Sequence, residues 1–111
     1  MSKPWFKFQK WISERLRKAG LNSRVSCQSH GGLGSPDVDA HPFAIECKLY
    51  QKVTYRLIVD ALQQSARDTQ RSDKYPIAVT EDKDGNTIVH MNWVDFENLV
   101  MEFIVKKEDQ A

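Results

Sequence analysis

A chain of 111 residues, 41% hydrophobic and 28% charged, has the make-up of one globular domain, 1–111, with no room for a second. No apolar run approaches the roughly 18 residues of a membrane span, the start carries no secretory-type apolar stretch, and the two cysteines, Cys27 and Cys47, are too few for a disulfide framework. A cytoplasmic protein is therefore expected, and with a net charge of only +1 any polyanionic partner must be argued from how the charges are distributed.

Residues 4 to 19 have helical spacing: Trp5, Phe8, Trp11, Ile12 and Leu16 form one apolar stripe, Ser2 can cap the start, and Gly20 ends the run. Lys3, Lys7, Lys10, Arg17 and Lys18 collect on the opposite side. Arg24 to Gln28 alternates as a short half-buried strand, and Ser29 to Ser35 is a glycine-punctuated loop. After an extended Asp37–Ala40 and a turn at His41-Pro42 comes the best strand of the chain, Phe43 to Leu49. Its Phe43, Ile45, Cys47 and Leu49 share one face, and Ala44, Glu46 and Lys48 share the other. A helix follows from Val53 to Thr69, with Val53, Leu57, Ile58, Ala61, Leu62 and Ala66 apolar. Tyr75 to Thr80 is a continuous apolar strand, Asp84-Gly85-Asn86 turns into a strand at Thr87 to Met91, and Asn92 can cap a last helix. That helix carries Trp93, Phe96, Leu99, Val100 and Phe103 on one side, before a polar tail from Lys106. Helix, three strands, helix, two strands and helix make an α/β fold, a mixed central sheet flanked by helices.

The chemistry concentrates between Pro36 and Lys48. Glu46 and Lys48 project from the same side of a strand whose other side is apolar, which puts a carboxylate and an ammonium at the edge of a core. A short turn brings Asp37 alongside Glu46, and two converging carboxylates resist joint ionisation unless a cation lies between them. Mg²⁺ takes such oxygen ligands while keeping several waters. A divalent ion, the water it activates and a lysine near the developing charge are the parts that phosphodiester hydrolysis needs.

Pro36-Asp37 followed by Glu46-x-Lys48 resembles the PD-(D/E)XK nuclease superfamily, in particular its small Holliday-junction-resolvase-like and phage-type members. Gly20 followed by Arg24, and Ala61-x-x-Gln64 on the second helix, extend the resemblance, as does the order of elements over roughly the first 80 residues. The resemblance implies a restriction-endonuclease-like core and Mg²⁺-dependent DNA cleavage, with Mn²⁺ able to substitute. It implies Asp37 and Glu46 as metal ligands, Lys48 as catalytic, and Gln64 as the glutamine accompanying the site. Gln64 shares a helix side with Leu57 and Ala61, although Gln63 stays open as its replacement. Branched or recombination DNA is the implied substrate, and a catalytically inactive nucleic-acid-binding module with the same fold is the alternative. Where resolvase-like members place an acidic residue early on the first helix, this chain has Gln9 or Trp11, and Glu14 points away, so no second metal is assigned.

The remaining candidates have bland readings beside the functional ones. Asp39 shares a face with Asp37 but reads better as a turn residue, His30 as a loop residue, and His90 and Met91 as packing residues. The three histidines, with His41, form no zinc pattern with the cysteines, which read as small buried residues. Gly31-x-x-Gly34 lacks the Lys-Ser/Thr of a phosphate loop. The basic side of the first helix, with Arg24, can follow a DNA backbone or simply face solvent. The aromatics of both terminal helices suit a core, and Trp93, Phe96 and Phe103 also suit a two-fold contact. Cutting two strands needs two sites, which favours a homodimer.

Overall fold

The computed structural model describes residues 4–26, 36–49, 52–69 and 73–105. Ser2, Lys3, Cys27, Gln28, the 29–35 loop with His30 and its glycines, and the tail from Lys106 lie outside the described residues. The described elements are α1 (Pro4–Lys18), β1 (Ser23–Val25), β2 (Val38–Ala40), β3 (Phe43–Leu49), α2 (Tyr55–Thr69), β4 (Tyr75–Glu81), β5 (Thr87–His90) and α3 (Trp93–Leu99). A π-helical segment, Val100–Val105, continues α3. The five strands form one mixed sheet in sequence order. All neighbours are antiparallel except β3 and β4, whose parallel pairing requires the α2 crossover between them.

Strand alternation divides the molecule into two layers. On one face Val38, Ala40, Ile45, Cys47, Ile77 and Val79 meet Phe8 and Ile12 of α1, which lies against β1, β2 and β3. On the other, α2 covers β3 and β4 through Ala61, Leu62 and Ala78. The contact layer under α2 is made of small residues. Ala44, Ala61 and Ala78 are buried, and Ser65 Oγ donates to the Ala44 carbonyl at 2.9 Å, so the helix lies close to the sheet.

α1 ends in a Schellman motif. Gly20, at φ +108°, donates to the Arg17 carbonyl at 3.0 Å, and Leu21 donates to that of Leu16 at 3.0 Å. Its buried side is rotated from the stripe expected in the sequence: Gln9 and Ser13 are buried beside Phe8 and Ile12, whereas Trp5 and Trp11 are exposed. Polar bonds cause the rotation. Ser13 Oγ and Ser23 Oγ are 3.0 Å apart, and Arg17 Nε donates to the Ser23 carbonyl at 2.6 Å. The same bonds pull Ser23 inside, so β1 begins at Ser23 and not at Arg24 as the alternation suggested.

One further boundary and one expected cap differ from expectation. α2 starts at Tyr55 instead of Val53, because Thr54 Oγ1 accepts from the Leu57 amide at 3.3 Å and marks the start. Asn92 stands at the head of α3 without a side-chain capping bond. Asp82 organises the β4–β5 turn: its Oδ1 accepts from the amides of Asp84 (2.9 Å) and Asn86 (3.0 Å), and Gly85 has φ +83°. No residue of α3 is buried, so its aromatics belong to neither core cluster.

Candidate active site

β3 carries the centre of the site. Its α2-facing side presents Glu46 and Lys48, with Glu46 Oε2 and Lys48 Nζ 4.0 Å apart. Glu46 is 1% exposed, whereas the Lys48 side chain is 27% exposed and reaches the surface. β2 pairs with β3 through Val38↔Ile45, so one step further along the same register Asp37 falls opposite Glu46. Asp37 is fixed there because its Oδ2 accepts from the Cys47 amide at 2.9 Å. From α2, Gln64 Oε1 accepts from Lys48 Nζ at 3.3 Å, while Gln63 points to solvent. Asp37, Glu46, Lys48 and Gln64 thus meet at one end of the β3 face, and the choice between the two glutamines falls on Gln64.

The charges act on the residue between them. The Cys47 thiol is pushed far above its ordinary range, first by burial and then by Asp37 and Glu46, with Lys48 opposing. All three ionic side chains therefore act on one buried point. The same effect disfavours the thiolate that a reactive cysteine needs, because it would form beside two carboxylates.

A cavity of about 430 Å³ opens at this corner, lined by Asp37, Cys47, Lys48, Pro4, Trp5 and Gln9 among others. Gln9 is 3% exposed, and its Oε1 has no hydrogen-bond partner among the described residues. A buried amide oxygen at the wall of a cavity that Asp37 and Lys48 also line calls for a donor or a cation. The sequence singled out position 9 only as a departure from the resolvase pattern; a polar residue one step from the apolar stripe gives no direct sign that it is buried.

Other candidates separate from the site. Asp39 lies two residues along β2 but is bound to Lys74, with Oδ1 and Nζ 2.6 Å apart, and to Arg24 at 3.7 Å. It belongs to a different cavity, with Asn22 and His41. His90 Nε2 lies 2.8 Å from Thr80 Oγ1, and burial lowers its pKa, in keeping with a packing role. On α1, Lys7, Lys10 and Lys18 are exposed, while Arg17 is drawn into the Ser13–Ser23 contact and leaves the basic stripe.

Among the described residues, no three His, Cys, Asp or Glu side chains converge as a metal cluster. The oxygen donors at hand are two carboxylates, with the Gln9 amide at the cavity wall. Such a set suits a hard ion that keeps much of its water, and does not suit zinc. No helix of the described residues is long and apolar enough to cross a membrane. No protein-family model matches the chain, and no curated protein matches it either.

Proposed function

We propose that this chain is a Mg²⁺-dependent endodeoxyribonuclease of PD-(D/E)XK type, built on a restriction-endonuclease-like core and acting on DNA as a homodimer. The observation that carries the reading is the meeting of Asp37, Glu46, Lys48 and Gln64, drawn from β2, β3 and α2, around one corner of the sheet.

Each residue has a distinct task. Asp37 and Glu46 hold the ion, Glu46 from a buried position where water competes little and Asp37 from the cavity wall. A divalent ion held there supplies Lewis acidity toward a phosphate oxygen and toward water. Lys48, partly exposed at the cavity, places its ammonium where negative charge grows on the phosphorus oxygens. Gln64 steadies that ammonium, so that Lys48 is not drawn fully onto Glu46. The exposed lysines of α1 are suited to neutralising flanking phosphates, and branched or recombination intermediates are the substrates proposed by resemblance.

The test is cleavage of labelled duplex and four-way DNA with Mg²⁺, Mn²⁺ or EDTA. Metal-dependent cutting is expected, falling by roughly 10²- to 10³-fold in Lys48→Ala, the usual loss when one charge-stabilising donor is removed. A Lys48→Ala chain that cuts as fast as the parent overturns the mechanism. Binding without cleavage under every metal identifies an inactive nucleic-acid-binding module instead.

A further inference from the structure

α1 packs over β1 to β3, and among the described residues its coverage of this face thins out beyond the buried Ile77 and Val79 of β4, leaving Val89 of β5 exposed. The result is an apolar groove of about 350 Å³ with Ile77 and Val79 on its floor. Trp11 and Arg15 form one wall and Val89 the other. Trp11 is 47% and Val89 63% exposed, and the Arg15 guanidinium lies 5.6 Å above the Trp11 ring. The floor is already buried, so the exposed apolar surface of this groove lies along its two walls.

Among the described residues, nothing buries the apolar side of the last helix. Residues 93–105 expose Trp93, Val94, Phe96, Met101, Phe103 and Ile104, an apolar surface unusual for a monomer. Charge matches the two surfaces. α1 exposes Lys7, Lys10, Arg15 and Lys18 against the single acidic Glu14, Arg17 being bound to Ser23, whereas residues 93–105 hold Asp95, Glu97 and Glu102 and neither Lys nor Arg. The helix does not line its own groove. Only Met91 and Asn92 separate it from β5, and Tyr75 Oη donates to Glu102 Oε2 at 2.6 Å, which holds the helix at the end of the sheet.

We propose that the helix 93–105 of one copy seats its apolar side in the groove beside α1 of a second copy, and the second reciprocates. A reciprocal exchange closes as a two-fold dimer, with two identical helix-in-groove contacts. This gives the expected second copy a defined surface, and it stands on these apolar and charged surfaces alone, independent of the carboxylate site.

Sedimentation velocity of the full chain, without metal or DNA, tests it. The parent is expected to dimerise, less tightly as salt rises. Val89→Glu breaks the groove and Phe96→Glu breaks the helix; both positions are exposed, so folding, checked by circular dichroism, should survive. Each variant alone should be monomeric, with association weakened by roughly tenfold or more. An equimolar mixture should regain dimer, because one intact helix then meets one intact groove. The proposal is overturned by a parent that remains monomeric, by a Val89→Glu chain that dimerises like the parent, or by a mixture that stays monomeric. Should a variant fail to fold, a parent dimer that salt does not weaken overturns it equally.

Discussion

Removing the charge of Glu46 should make the metal-free protein more stable while abolishing its response to metal. The carboxylate is 1% exposed, faces Asp37 across the β2–β3 pair, and has Lys48 at 4.0 Å as a cationic neighbour. Burying an ionised carboxylate costs several kcal/mol even after relaxation, and the Lys48 ammonium at that distance, itself 27% exposed and screened by water, returns only part of it. Glu46→Gln removes the charge at nearly constant volume, and the new amide hydrogens cost about 1–2 kcal/mol where they find no acceptor. The net expectation is a gain of about 2 kcal/mol in EDTA, or roughly 8 °C in melting temperature for a chain of this size. Mg²⁺ at ten times its dissociation constant should stabilise the parent by about 1.4 kcal/mol and the variant hardly at all. Urea and thermal unfolding, each with EDTA and with Mg²⁺, measure all four values. A variant less stable than the parent in EDTA, or one stabilised equally by Mg²⁺, refutes the reasoning.

The neighbouring residues give three more tests. Gln64→Ala should slow cleavage by about tenfold through loss of its bond to Lys48, and Gln63→Ala, which alters an exposed side chain, should leave the rate unchanged. Gln9→Glu adds a carboxylate to the cavity wall; calorimetric titration should find Mg²⁺ bound roughly tenfold tighter, since charge count tunes such sites, and an unchanged affinity would remove Gln9 from the ion's surroundings. Burial holds the folded pKa of His90 below its ordinary 6.5, so the unfolded chain takes up the proton first and stability falls as pH drops through and below that value. Denaturant midpoints between about pH 7 and 5 should show this slope, and His90→Gln should flatten it.

Much of the sheet could be read from the chain because its central strand obeys a single period. Phe43 to Leu49 alternates without interruption, which places Glu46 and Lys48 on one side, and helical phase brings Gln64 over Gln63 toward them. The misreadings share a cause: they involve polar groups whose partners lie far along the chain. Ser13 and Gln9 look like solvent-facing residues until Ser23 and the cavity are known, and Trp11 looks like core until those polar residues rotate the helix away from it. Asp39 reads as a turn residue, but it lies in β2 and is held by Lys74, 35 residues on. Apolar spacing in α3 signals a side to be covered and is silent on what covers it.

The alanine and serine layer beneath α2 has a mechanical consequence. Lys48 Nζ and Gln64 Oε1 meet at 3.3 Å, near the outer limit for such a bond, so they tolerate almost no separation of their supports. A methyl group added at Ala61 or Ala78 would act as a shim, lifting the whole helix and with it the glutamine. Side chains remote from the cavity thereby set the clearance between Lys48 and Gln64, and their size is as tightly constrained as that contact.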